Sequence, residues 1–139
     1  HECENVVAVK EASGDMTQIM KIIKGKPENF NVISGDDMLT IPVIAAGGTG
    51  VISVLGNAFP EVCSEIVTNA LKSNFKAARE LQFRFIEMTE LLFVEGNPAG
   101  VKAMLNIMNL CSNTLRLPLV PVSRTTFTRI QKAIEEVRK

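Results

Sequence analysis

The chain has 139 residues, of which 46% are hydrophobic and 22% charged, a composition that suits one packed domain. Lys plus Arg and Asp plus Glu each number 15, and a chain without net charge has no overall field to attract nucleic acid or an anionic membrane. Trp and Tyr are absent, so stacking on bases would fall to phenylalanine alone. Composition therefore argues against nucleic-acid binding.

The cysteines and the histidine exclude several kinds of site. Cys3, Cys63 and Cys111 are odd in number, far apart and without a C-x-x-C pair, which argues against a disulfide framework or a zinc site and favours a reducing compartment. We expect a cytoplasmic protein in which they act as small hydrophobic residues. His1 is the only histidine, so the chain cannot form a histidine-based triad. We predict no metal and no cofactor.

One uncharged stretch is long enough to cross a bilayer. It runs from Met38 to Pro60, and about 20 apolar residues suffice for a membrane-spanning helix. Pro42 and the glycines at 47, 48, 50 and 56 interrupt it. Because these residues disfavour a continuous helix, we expect two buried elements joined by a glycine-rich turn and no membrane span.

The first half of the chain alternates strands with helices. The run Val6–Val9 is short, continuous and rich in β-branched residues, which is typical of a strand buried on both faces of a parallel sheet. Asp15 is predicted to cap a helix that continues to about Ile23. The further predictions are a strand at Asn31–Ser34, a helix at about Met38–Ala46, a strand at Val51–Val54 and a helix after Pro60. Such alternation predicts parallel strands with helical crossovers.

The second half is predicted to be entirely helical. Its apolar residues form three stripes at helical spacing, each interpreted as a packing face: Ala78, Leu81, Phe85, Met88 and Leu92; Val101, Met104, Leu105 and Met108; Phe127, Ile130, Ile134 and Val137. Pro118 and Pro121 bracket an extended connector before the last helix. Three strands are too few to cover these helices, which indicates that the chain is part of something larger.

Lys10 is the most informative candidate for chemistry. It follows the first predicted strand, where α/β barrels place catalytic side chains. A lysine that condenses with a ketone must be neutral, and at an ordinary pKa of about 10.4 only ~1 in 1,000 lysines is neutral near pH 7.4. Burial can raise the neutral fraction, because it disfavours the charged form of the amine. Judged by position alone, a lysine that extends from a strand end into solvent is the commoner case.

Two glycine-containing turns carry weaker signals. The turn Gly35-Asp36-Asp37 follows the second predicted strand, so we expect it at the same rim as Lys10, although for this segment taken alone a helix cap with a turn is the preferred interpretation. Gly47–Gly50 leads into a strand, whereas a phosphate loop leads into a helix. Ser53 also stands where the third glycine of G-x-G-x-x-G belongs. We interpret Gly47–Gly50 as a tight turn at the opposite rim.

Several segments together carry a family resemblance: Val7–Asp15, Ser34–Asp37, Gly50–Val54, Phe93–Pro98 and Thr114–Pro118. Their order and spacing resemble the dihydrodipicolinate synthase family of Schiff-base aldolases, over essentially the whole chain. The resemblance implies an α/β fold, the C-terminal part of a (βα)8 TIM barrel. Residues 1–72 would supply strands six to eight with their helices, and residues 73–139 the C-terminal helical region.

The resemblance also implies a reaction and a site. Lys10 matches the lysine that forms an imine with pyruvate, whose enamine attacks aspartate semialdehyde to give 4-hydroxy-tetrahydrodipicolinate, in lysine and diaminopimelate biosynthesis. Gly35 and Ile52 match positions whose backbone groups line the keto-acid pocket. Asp36 and Asp37 are expected near its mouth. The complete enzyme is expected to be a homotetramer.

The chain lacks other parts of the family's machinery. A threonine pair, two tyrosines and an arginine lie upstream of the family's lysine, and this chain has no tyrosine, so we expect it to be inactive alone. A sister activity, N-acetylneuraminate lyase or a sugar-acid aldolase, is an alternative, although neuraminate lyases typically carry Gly-Tyr-Asp-Glu where this chain has Ser34–Asp37. A non-catalytic half-barrel that only associates with partner chains is the other alternative.

Overall fold

In a computed structural model, residues 3–138 are described and form a small parallel sheet followed by packed helices. The strands are β1 (Ala8–Glu11), β2 (Asn31–Ser34) and β3 (Gly50–Val51). The helices are α1 (Met16–Gly25), α2 (Thr40–Ala45), α3 (Pro60–Leu71), α4 (Phe75–Arg84), α5 (Ile86–Phe93), α6 (Ala99–Ile107) and α7 (Arg124–Val137), with a short 3₁₀ helix at Leu55–Asn57.

The sheet has the order β1-β2-β3 with both pairs parallel, which confirms the prediction of parallel strands with helical crossovers. Glu11 is level with Ser34, and Ser34 with Val51. The pairing continues past the strand ends, because the N–H of Gly35 donates to the Glu11 carbonyl at 2.7 Å and the N–H of Ile52 to the Ser34 carbonyl at 2.8 Å. The carboxyl ends of all three strands therefore meet at one edge.

The two outer strands differ from their predicted bounds, whereas β2 has the bounds predicted from the sequence. β1 begins at Ala8 and includes Lys10, while Val6 and Val7 remain 55% and 60% exposed. β3 contains only Gly50 and Val51. In the part of the chain that the structure describes, β1 and β3 each pair only with β2, so their apolar runs lack the second neighbour that a buried strand needs.

The helices follow local signals closely. Asp15 caps α1, since its side chain accepts a hydrogen bond from the N–H of Thr17 at 2.8 Å, as predicted. The predicted stripe from Ala78 to Leu92 belongs to two helices, because the chain turns at Phe85, whose φ is −111°. No helix within residues 3–138 is long and apolar enough to cross a membrane.

Most of the buried apolar surface lies in the helical region. Its core is made by residues of the 3₁₀ helix and of α5, α6 and α7, together with Phe85. The sheet has a much smaller core of Ile19, Val32 and Val43. α5 and α6 approach closely at Gly100, where a Cβ would lie only 2.7 Å from the carbonyl carbon of Leu92. The glycine is therefore a packing requirement of this region.

Candidate active site

The carboxyl edge of the sheet brings together three residues that were predicted from the sequence. Lys10 lies near the end of β1 with its side chain exposed, Gly35 follows β2 directly, and Ile52 follows β3 directly. In parallel α/β proteins this edge is where ligands bind. The structure therefore places the candidate lysine and both candidate pocket-lining residues on the side of the sheet suited to catalysis.

Gly35 provides the space through which the lysine side chain passes. A Cβ at this position would lie 2.9 Å from Cε of Lys10, 2.5 Å from Cβ of Ala12 and 3.1 Å from the carbonyl oxygen of Glu11. Distances below about 3 Å mean a collision between non-bonded carbon atoms. Any side chain at position 35 would therefore displace either the lysine or the turn that follows β1.

Glu11 supports the lysine-bearing strand from the opposite face. Side chains alternate along a strand, so the exposed Lys10 is followed by Glu11, which is 8% exposed. One carboxylate oxygen accepts from the Ser13 N–H at 3.2 Å and from Gln18 Nε2 at 3.0 Å, and the other from the Ser13 hydroxyl at 2.9 Å. These bonds join the end of β1 to α1. This role of Glu11 was not predicted from the sequence, although a charged residue at the end of an apolar strand was a signal for it.

Asp36 forms the turn after β2. Its Oδ1 accepts a hydrogen bond from the N–H of Met38 at 2.8 Å. The hydroxyl of Ser34 donates to the Asp36 carbonyl at 2.8 Å and accepts from its N–H at 3.2 Å. Asp36 is half-buried at this rim, and its contact with substrate stays a prediction.

Asp37 points into the protein. It is 8% exposed, and its Oδ2 accepts from the N–H groups of Val54 at 2.9 Å and Leu55 at 3.4 Å. Its Oδ1 accepts from the Ser53 hydroxyl. The carboxylate predicted to stand near the pocket mouth is thus bonded to the segment after β3, and a contact with substrate stays a prediction here too.

Cys63 lies beside this network with its Sγ 3.5 Å from the Ser53 hydroxyl oxygen. Burial raises the pKa of the Cys63 thiol, the hydrogen bond with Ser53 opposes the rise, and the Asp37 carboxylate adds to it. A raised pKa keeps a thiol protonated and a poor nucleophile. Cys63 therefore acts as a small half-buried residue, as the sequence predicted.

Comparison with known proteins identifies the family. Residues 1–137 match the profile described as the Dihydrodipicolinate synthetase family, and the chain belongs to this family. It is 53% identical over 135 residues to the 4-hydroxy-tetrahydrodipicolinate synthase of Phocaeicola vulgatus, covering 97% of this chain and 46% of the relative. The synthase of Parabacteroides distasonis is 52% identical, with coverage of 98% and 46%. The chain spans about half the length of the curated relatives it matches.

Solved structures agree with this assignment. The dihydrodipicolinate synthase of Aquifex aeolicus superposes with a TM-score of 0.95 at 37% identity, over 99% of this chain and 47% of that protein. The Thermotoga maritima synthase gives a TM-score of 0.95 at 38% identity, and the match covers 99% of this chain and 48% of that protein. The chain is therefore the C-terminal part of a (βα)8 barrel, strands six to eight, followed by C-terminal helices, as the sequence resemblance implied.

Proposed function

We propose that the complete protein containing this chain is a Schiff-base lyase that condenses pyruvate with aspartate semialdehyde to give 4-hydroxy-tetrahydrodipicolinate, in lysine and diaminopimelate biosynthesis. The observation that carries the proposal is the position of Lys10 at the carboxyl edge of the sheet. Its side chain passes over Gly35, where a Cβ atom would lie only 2.9 Å from Lys10 Cε. Family membership supports the same assignment.

The chemistry needs the lysine as both nucleophile and electron sink. The neutral amine of Lys10 attacks the ketone carbon of pyruvate, and loss of water gives a protonated imine. The imine draws electrons from the adjacent methyl group, which loses a proton to give an enamine. The enamine carbon bonds to the aldehyde carbon of the semialdehyde. Attack by the semialdehyde's own amine on the imine carbon then closes the ring and releases Lys10.

The rest of the site divides between this chain and the remainder of the protein. The backbones of Gly35 and Ile52 would line the pyruvate pocket, with Asp36 near its mouth. Groups that relay protons and bind the aldehyde's carboxylate would come from the other half of the barrel, since the chain has no tyrosine. We propose a cytoplasmic homotetramer for the complete enzyme, without a cofactor.

The synthase is favoured over the sister lyases by the relatives themselves. Proteins 39% to 53% identical to this chain carry the name 4-hydroxy-tetrahydrodipicolinate synthase. The turn Ser34–Asp37 also lacks the Gly-Tyr-Asp-Glu typical of neuraminate lyases. An assay of the full-length protein with each substrate pair checks the choice. Faster cleavage of N-acetylneuraminate than condensation of the semialdehyde would reverse it.

Imine trapping tests the role of the lysine. The full-length protein is incubated with pyruvate, reduced with borohydride and mapped by mass spectrometry, and the adduct is expected on Lys10. Lys10→Arg should abolish both adduct and turnover, because arginine keeps the charge but is not an amine nucleophile. Lys24→Arg, on the exposed last turn of α1, is the matched control and should retain both. An adduct on Lys24 or Lys102, or none, contradicts the assignment.

A further inference from the structure

Asp37 connects the two backbone positions proposed to line the pocket. It follows Gly35 by two residues, and its carboxylate binds the segment that begins directly after Ile52. We propose that Asp37 is a positioning residue that fixes the backbone of Ile52 through Ser53 and Val54, and that it does not contact substrate. The inference rests on the proposed function, because that function places Ile52 in the pyruvate pocket.

The carboxylate satisfies backbone donors that have no other partner among residues 3–138. The first N–H groups of a helix cannot bond within it, and Val54, which precedes the 3₁₀ helix, has no polar side chain to cap it. Asp37 Oδ2 accepts hydrogen bonds from the N–H groups of Val54 and Leu55, which lie 17 and 18 residues further along the chain. Ser53 donates to Oδ1 and accepts from the N–H of Gly56 at 2.7 Å. One side chain thus anchors the start of the helix.

These bonds restrict the direction of the Ile52 carbonyl. That carbonyl belongs to the planar peptide group between Ile52 and Ser53. On one side the N–H of Ile52 is bonded to the Ser34 carbonyl at 2.8 Å. On the other side the Ser53 hydroxyl and the Val54 N–H are both bonded to Asp37. The peptide group between them has little freedom to rotate while the carboxylate is present.

Burial supports positioning over substrate contact. Asp37 is 8% exposed, and each of its oxygens accepts at least one hydrogen bond from within the chain. The hydrogen bonds come from a hydroxyl and two backbone N–H groups, which hold the carboxylate in one orientation. Asp36, by comparison, is half-buried, and among residues 3–138 its side chain bonds only to the N–H of Met38 within its own turn.

The test breaks the network at two points in the full-length protein. Asp37→Asn and Ser53→Ala should each raise the pyruvate concentration that half-saturates borohydride trapping by about tenfold, with the KM for the aldehyde little changed. The double variant should be no worse than the worse single variant, since both changes break one network. Amide exchange at residues 53–56 should become faster in both single variants.

A control variant and two contrary results complete the test. Glu95→Gln changes another hydrogen-bonded carboxylate, in the helical region, and should leave trapping unchanged. If only the KM for the aldehyde rises in Asp37→Asn and Ser53→Ala is neutral, Asp37 contacts substrate and the proposal is overturned. Unchanged trapping in both variants overturns it as well. Should Asp37→Asn not fold, Ser53→Ala decides alone.

Failure of the proposed function gives a different signature. In that case the unsubstituted protein forms no pyruvate adduct at Lys10. Amide exchange at residues 53–56 does not depend on turnover, so it still shows whether Asp37 holds the segment. Unchanged exchange in Asp37→Asn would then overturn the anchoring role by itself.

Discussion

Leu92 and Met104 in the helical region are sealed from solvent, both at 0% exposure, whereas Val7 and Ile52 at the sheet are 60% and 50% exposed. The core of the helical region is built mainly from elements adjacent in sequence, α5, α6 and α7, and it also includes Leu55 and Ala58 from the segment after β3. Within the described residues, β1 and β3 each have a paired neighbour on one side only, and in a barrel the remaining partners come from distant parts of the protein. The described residues therefore contain one large buried core, and a small one beside strand edges that a complete barrel would pair.

The candidate site has its location in this chain, but its enclosure depends on the rest of the barrel. Lys10, Gly35 and Ile52 belong to the open region, so this chain sets their relative positions but not the walls that would enclose them. Burial that makes a lysine nucleophilic requires such walls. The helical region instead contributes most of the larger buried core, on which the end of the sheet after β3 also packs.

The largest expected effect comes from leaving the barrel incomplete. The isolated 139-residue chain should show no condensation activity and should associate, most simply as a dimer, because its open strand edges carry unpaired donors and acceptors. Forgone burial of roughly 25 cal/mol per Å² on the sheet favours the same outcome. Size-exclusion chromatography with light scattering and the condensation assay check both parts. A compact monomer with synthase activity would show that this sheet needs no further strands to be stable and active.

A single methyl group at Gly35 should be nearly as damaging to the site. Gly35→Ala in the full-length protein would push its Cβ against Lys10 Cε and Ala12 Cβ, and misplacement of a reacting group by about 1 Å can cost ~100-fold in rate. Rapid-quench borohydride trapping measures the rate of imine formation. Gly25→Ala is the control, because a Cβ there meets nothing within 4 Å. Equal trapping rates in the two variants would show that the collision is relieved without moving the lysine.

A glycine-to-alanine substitution at Gly100 makes the same kind of change in the larger core, where α5 contacts α6. Gly100→Ala would drive a methyl group into the backbone at Leu92, and overpacking of this kind typically costs about 1–3 kcal/mol. Urea unfolding of the full-length protein should show the loss, while the adduct site remains Lys10. Gly25→Ala again serves as the control. A midpoint unaffected by Gly100→Ala would mean that α5 and α6 separate easily.

The smallest expected effect concerns the link between α5 and α7. Both carboxylate oxygens of Glu95 accept from Ser123, from its hydroxyl at 2.6 Å and its N–H at 2.8 Å. The Ser123 hydroxyl is the main cause of the lowered pKa of Glu95, and the Thr126 side chain and the Ser123 N–H add to it. Because the folded pKa is below the unfolded one, the stabilisation is complete above the ordinary glutamate value of about 4.3 and is lost as pH falls through the lowered pKa.

Thermal unfolding measured across that acidic range tests this link. Glu95→Gln should have a lower Tm than the unsubstituted protein near neutral pH, and the two should converge as the pH falls through the lowered pKa. The difference should be small, since Glu95 is exposed to solvent and screening weakens such contacts. A constant difference at all pH values would mean that the charge of Glu95 does not contribute.

Local signals were sufficient for much of the fold and for part of the site. The bounds of β2, the Asp15 cap and the apolar stripe of α7 depend on residues a few positions apart, and such patterns are readable in the sequence itself. Strand-end position drew attention to Lys10, and the family resemblance then assigned its role and that of Gly35. The family resemblance rested on motifs of the same short kind.

Tertiary structure decided what depends on distant partners. The break at Phe85 between α4 and α5, the short outer strands and the buried positions of Glu11 and Asp37 could not be read from periodicity. Asp37 bonds to residues 16 to 18 positions away, and no local pattern shows which donors a carboxylate will meet. Sequence alone indicated which residues could carry the chemistry, and packing decided which of them lie exposed at the carboxyl edge, as Lys10 does, and which are buried and bonded to the backbone, as Asp37 is.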